Sequence, residues 1–196
     1  MAEKGRKLSK KERRRQQVQQ EKRLKTLRIW VPIGLVLIVF IALAVYRLNQ
    51  PEVEGVISVA SAPANEHDDS LVYPYESLPP TGGPHAPVWQ NCGIYRTPIP
   101  ITNAVHSMEH GAVWITYDQQ LAADQVRQLE EVALGDPFIL MSPFPDQESP
   151  IVLTTWDRQL LLETVTDPRI NEFIDRYQQR APETAPCSGG TGVPDA

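Results

Sequence analysis

After Arg28 the chain has no lysine, and between Arg28 and Arg47 it has no charge of either sign. The first 28 residues hold 12 of the 19 Lys and Arg but only 3 of the 24 acids, so this arm carries +9. The remainder sets seven arginines against 21 acids and carries −14. A surface of that sign repels phosphate and gains nothing from counterion release, which excludes nucleic acid as a partner of the body. Such a split of charge also excludes one uniform globule. Only two cysteines occur, neither in a Cys-x-x-Cys pair, so a redox centre of that type is excluded. No glycine-rich phosphate loop, serine nucleophile elbow, paired-carboxylate site or internal repeat stands out.

The charge-free run, Ile29 to Tyr46, is 18 residues long. As a helix it reaches roughly 27 Å, close to the hydrocarbon thickness of a bilayer. One transmembrane helix is expected there, with Pro32 in its first turn and Trp30 and Tyr46 at the two interfaces. The basic arm on one side and the acidic body on the other place the N-terminus in the cytoplasm and the body outside. Ala42-Leu43-Ala44 has the form of a signal-peptidase site, but the basic preface and apolar core are longer than those of a typical signal peptide. Residues 8–28 read as a charged helix near anionic headgroups or as a disordered segment, serving mainly as a topology signal.

The expected organisation is a basic cytoplasmic arm (1–28), a transmembrane helix (29–46), a flexible linker (47–65), an extracytoplasmic domain (66–187) and a flexible tail (188–196). Both cysteines, Cys92 and Cys187, fall in the external part, where thiols are not kept reduced, and a disulfide between them is the natural inference. It would close a loop of about 95 residues and contribute at most about 4–5 kcal/mol in the chain-entropy view. A thiolate metal site is the alternative.

The first 40 residues of the domain are dense in turn formers, with Pro79-Pro80-Thr81-Gly82-Gly83-Pro84 followed by Pro87, Pro98 and Pro100. Proline at this density forbids long helices and central strands. The interleaved aromatics Tyr73, Tyr75, Trp89 and Tyr95 favour an ordered, packed loop. The second half is regular. Strands are expected at 112–117, 138–141, 151–156 and 159–163, and helices at 122–134, ending at Gly135, and after Asp167-Pro168, with Ile170, Phe173, Ile174 and Tyr177 on one face. The fold class is α+β: a small mixed sheet with helices on one side and a proline-rich ordered loop region.

All four histidines lie in the external part, at 67, 85, 106 and 110, and none in the regular second half. His106 and His110 are spaced i,i+4, so their imidazoles share a face in a helix. On a strand they share a face too, and Met108 then joins them in a soft set suited to copper. His85 is a candidate third nitrogen, and Glu109 a fourth ligand or an orienting partner. The string His-x-x-Glu-His also matches the inverted zincin pattern, but Pro100 and Gly111 leave at most about two turns of helix, too short for that site. The bland alternative makes the histidines struts that bond loop carbonyls. His67, among Glu66, Asp68 and Asp69, reads as solvated, with ligation the minor option. Trp89, Trp114 and Trp156 read as core or rim aromatics.

Leu78-Pro79-Pro80-Thr81-Gly82-Gly83-Pro84-His85, Trp89-Gln90-Asn91-Cys92-Gly93-Ile94-Tyr95 and Val105-His106-Ser107-Met108-Glu109-His110-Gly111-Ala112-Val113-Trp114-Ile115-Thr116-Tyr117 together resemble a bacterial family of membrane-anchored proteins, domain of unknown function 3105. The likeness covers about residues 66–188. The resemblance implies a cell-envelope protein with an N-terminal signal or anchor and supplies no activity. The family pattern has Leu where this chain has Met108, which favours the histidines over a His-Met-His face. The functional expectation is therefore a single-pass membrane protein whose external domain binds copper or zinc through His85, His106, Glu109 and His110, for metal handling or sensing. The contrasting expectation is a metal-free envelope scaffold that presents its loop face to a protein partner. Hydrolase activity is a third, minor option.

Overall fold

The computed structural model describes residues 10–49, 51–60, 63–74, 78–183 and 185–196. The first nine residues of the basic arm and Tyr75 lie outside these. Two units are distinct, Met1–Pro51 and Glu52–Ala196.

The first unit contains one helix, α1 (Lys10–Leu48). Its basic half is built from Gln, Lys, Arg and Glu, unbranched side chains that lose little freedom in a helix, and so the helix begins well before the apolar run. Pro32 consequently sits inside α1 rather than in its first turn, where it removes one backbone hydrogen bond. The stretch Gln19–Tyr46 is long and apolar enough to cross a membrane, and none of its apolar window is buried against protein.

The second unit is built on a six-stranded mixed sheet of order β1-β6-β5-β3-β4-β2. The strands are β1 (Ile57–Ser58), β2 (Gly93–Ile94), β3 (Val113–Tyr117), β4 (Ile139–Pro143), β5 (Ile151–Thr155) and β6 (Arg158–Leu162). β3 and β2 run parallel to β4, whereas β5 pairs antiparallel with both β3 and β6, and β1 antiparallel with β6. Helices α2 (Ile101–Glu109), α3 (Ala123–Ala133) and α4 (Arg169–Tyr177) complete it. β3 and β4 are parallel because α3 lies between them and returns the chain to the same end of the sheet.

Alternate residues on each strand point to opposite faces. Val113, Ile115, Ile139, Met141, Ile151, Leu153, Leu160 and Leu162 form one core with Leu129 and Ala133 of α3 and Ile170, Phe173 and Ile174 of α4. Trp114 and Leu140 face the other way and pack with Phe144, Trp156 and, from α2, Ile101, Ala104, Val105 and Met108. The two helices expected from periodicity thus share a face. The opposite face is covered by α2 and the proline-rich loops. There Trp114 Nε1 donates to Ser142 Oγ at 3.0 Å, which satisfies the buried indole.

Two segments read as flexible from composition are docked. Val53 is buried in the first core, and β1 adds an edge strand to β6. At the C-terminus, Asn91 N–H donates to Thr191 O (2.8 Å), Ile94 N–H to Ala196 O (2.9 Å) and Asp195 N–H to Ile94 O (2.7 Å). The tail therefore lines β2, supplying partners to backbone groups that an edge strand would leave unpaired. Cys92 and Cys187 form a disulfide. The Cys92 N–H also donates to Cys187 O at 2.8 Å, so the loop ahead of β2 and the segment after α4 are joined twice.

Candidate metal centre

The site begins with the geometry of α2. Its nine helical residues place His106, Glu109 and the C-cap His110 along one side, at i, i+3 and i+4. Met108, two residues beyond His106, points the opposite way and is fully buried in the second core. The strand alternative, with Met108 beside the histidines, is thereby overturned. Gly111, at φ 99°, ends the helix, and a Cβ there would lie 2.7 Å from Gln179 Cα. His85 arrives from the loop, where Gly82 lies against the face of Trp156. His67 arrives beside it through a short parallel bridge, with His85 N–H donating to Glu66 O (2.9 Å) and Asp68 N–H to His85 O (2.8 Å).

His67, His85, His106 and Glu109 each offer a ligand atom, and these four atoms all lie within 4.8 Å of one another. His110 falls in a second group, His106, His110 and Glu183, under the same limit. Of the four residues expected from sequence, three therefore meet in one cluster. The fourth joins them through His106. His67, expected to be solvated, and Glu183, which nothing in the pattern marked, complete the two groups. The rings form a continuous stack: His67 lies parallel to His106 with centroids 4.9 Å apart, and His85 meets both edge-on at 4.9 and 4.8 Å. Trp156 closes one side against His85 (5.9 Å), and Trp89 lies over His110 (4.7 Å) and His106 (5.6 Å).

The hydrogen bonds decide which nitrogens are free. His85 Nδ1 donates to Gly83 O (2.7 Å), His106 Nδ1 to Ala86 O (2.7 Å) and His110 Nδ1 to Pro186 O (3.0 Å). A carbonyl only accepts, so each Nδ1 carries a proton and each neutral ring presents an Nε2 lone pair. Those lone pairs face other acceptors. His106 Nε2 and His110 Nε2 lie 3.1 Å apart, and His85 Nε2 lies 3.0 Å from Glu109 Oε2. Both contacts repel unless a cation sits between the atoms, whether a proton or a metal ion.

Glu109 is fully buried, and its other oxygen accepts the Asn65 N–H at 2.6 Å. With both oxygens engaged and no solvent exposure it is not set to activate a water, which removes the geometry of the inverted zincin site. His67 Nε2 is 3.9 Å from Glu109 Oε2, and His67 is the one partly exposed member, its side chain 37% accessible. Burial holds the His106 imidazole below its ordinary value. The Ala86 carbonyl opposes this, and the rings of His110, His85 and His67 add to it. His106 thus favours the neutral form that a metal requires.

The donor set fits a borderline ion. Zinc takes imidazole nitrogen and carboxylate oxygen at about 2.0–2.2 Å, which puts tetrahedral neighbours about 3.3–3.6 Å apart. Within the first group the His85–Glu109 and His67–Glu109 contacts of 3.0 and 3.9 Å bracket that value, and the remaining pairs lie within 4.8 Å. Ring N–H groups anchored to carbonyls are also the usual outer support of metal-bound histidine.

No curated protein and no solved structure matches the chain. A family model described as "Protein of unknown function (DUF3105)" matches residues 67–189, a span from His67 to just beyond Cys187 that takes in the whole histidine cluster. Because that match covers more than half of the chain, the protein belongs to the family of domain of unknown function 3105.

Proposed function

We propose that the domain binds one transition-metal ion, copper or zinc, at the cluster of His85, His106 and Glu109, with His67 and His110 at its borders. The observation that carries this reading is the orientation of the rings. Three imidazoles have Nδ1 tied to backbone carbonyls, and the Nε2 atoms so exposed approach other acceptors at 3.0–3.1 Å. A neutral strut needs one good hydrogen bond and gains nothing from aiming its second nitrogen at another lone pair. A ligand needs that arrangement.

The position of the domain in the cell belongs to the same proposal. The apolar stretch of α1 anchors the chain in a membrane with the basic arm in the cytoplasm, and the domain lies outside as part of a bacterial cell envelope. The +9 arm, the charge-free run and the Cys92–Cys187 disulfide support this. The role is metal handling or sensing, since Glu109, the carboxylate of the cluster's core, is fully buried with both oxygens engaged.

Elemental analysis tests the reading on the full chain, purified in detergent without a polyhistidine tag. About one copper or zinc per chain is expected, with loss in His106→Ala and weakened retention in His85→Ala. Absence of stoichiometric metal after exposure to either ion overturns the proposal and leaves a metal-free scaffold. Resistance of the chain to alkaline extraction from membranes, with Cys92 and Cys187 oxidised in cells, is the expected companion result.

A further inference from the structure

The two donor groups share one nitrogen. Because His106 Nδ1 donates to the Ala86 carbonyl, only Nε2 remains to bind a metal, and one lone pair holds one cation. His106 is nevertheless a member both of the set with His67, His85 and Glu109 and of the set with His110 and Glu183, so with Nδ1 committed both sets draw on the same Nε2. Each set is a plausible coordination sphere of three or four donors, and the two cannot be filled together.

We propose that the centre has two mutually exclusive metal positions that pivot on His106, an inner one at His85 and Glu109 and an outer one at His110 and Glu183, and that a single ion steps between them on its way in and out. This rests on the metal-binding reading above. In the step, bonds from the ion to His85 Nε2 and Glu109 Oε2 are replaced by bonds to His110 Nε2 and Glu183 Oε2, while the bond to His106 Nε2 persists. No change of oxidation state is required: as the ion leaves, a proton from solvent takes its place between His85 Nε2 and Glu109 Oε2, and that proton is released to solvent when the ion returns.

The environments of the two sets differ in the way such a path needs. His85 and Glu109 have 0% exposed side chains, and of the inner set only His67, at 37%, is open to solvent. Glu183, 3.9 Å from His110 Nε2, has a side chain 44% exposed, so the outer position opens to solvent. Glu183 is also held in place: its N–H donates to the carbonyl of Glu109 itself at 3.1 Å, and Pro186, three residues on, supplies the carbonyl that orients His110. One strap therefore carries the carboxylate and sets the ring of the outer position. His67, the remaining member of the inner set, stacks its ring parallel to that of His106.

Cobalt(II), whose visible spectrum reports its coordination, is the probe, used with the full chain in detergent and chelator-driven release followed by stopped flow. The wild type is expected to bind one ion. Glu183→Gln and His110→Ala are expected to keep one ion but to load and release it about tenfold more slowly, while His85→Ala keeps one ion with an altered spectrum and about tenfold faster release. Far-UV circular dichroism checks that each variant is folded, and Glu183→Gln, at an exposed side chain, is the one least exposed to that problem. Two ions per wild-type chain would overturn the proposal. So would faster release or loss of the ion in Glu183→Gln, or a rate sensitive to His67→Ala and indifferent to Glu183→Gln. A wild type that binds no metal overturns the metal-binding reading and this path with it, whereas one ion with rates indifferent to Glu183 and His110 overturns the path alone.

Discussion

His106 Nε2 and His110 Nε2 approach to 3.1 Å while each ring gives its Nδ1 proton to a carbonyl, that of Ala86 and that of Pro186. Two like-ended imidazoles this close define a cation site by subtraction. In the metal-free protein, long-range nitrogen–proton correlation is expected to show both rings protonated at Nδ1, with at most one proton shared between the two Nε2 atoms. Independent Nε2–H tautomers for both rings would remove the basis of the site.

Acid should weaken the fold through His106. Its folded value lies below the ordinary 6.5, chiefly because the ring is buried. As the pH falls through 6.5 the unfolded chain gains this proton and the folded chain does not, so stability is present above that window and is lost below it. The urea midpoint of the metal-free chain is expected to fall between pH 7.5 and pH 5.5, and to fall less in His106→Ala. An equal fall in both would assign the effect to other groups.

Disulfide removal tests the strap. Cys92 and Cys187 are 95 residues apart, and the Cys92→Ser, Cys187→Ser double variant is expected to lose up to about 4 kcal/mol in urea unfolding, by the loop-closure argument. Since Pro186 precedes Cys187, the orientation of His110 should loosen as well. A double variant of wild-type stability would show that the neighbouring hydrogen bonds suffice.

Core substitutions separate folding from binding. Phe173 is fully buried on the face opposite α2, so Phe173→Ala is expected to cost about 3–5 kcal/mol while leaving metal stoichiometry intact in the folded fraction. Gly111→Ala forces a left-handed backbone on a residue with a Cβ and sets that Cβ against Gln179, at an expected cost of about 1–3 kcal/mol or more. It should disturb His110 as well, one residue away. Thermal melts and metal analysis of both variants check the contrast.

The regular half of the domain was legible because its signals are local. Val113–Tyr117 is β-branched and aromatic, and Ile170, Phe173, Ile174 and Tyr177 repeat at helical spacing, so strand and helix follow from neighbours in the chain. The His106–His110 face was legible for the same reason. What composition hid was long-range. Ser188 to Ala196 reads as a flexible tail until β2 offers it unpaired backbone groups, and Val53 reads as part of a tether until the sheet offers it a core. His67 looks solvated among acids, and only its bridge to His85 brings it to the cluster. Glu183 carries no pattern at all. It is positioned by a backbone bond to Glu109, 74 residues earlier.

Titration of copper and of zinc into the metal-free full chain, in competition with a chromophoric chelator, tests the central claim most directly. The account predicts one ion per chain at sub-micromolar affinity, lost by at least tenfold in His85→Ala and in His106→Ala while both remain folded. Binding no tighter in the wild type than in those variants would contradict it.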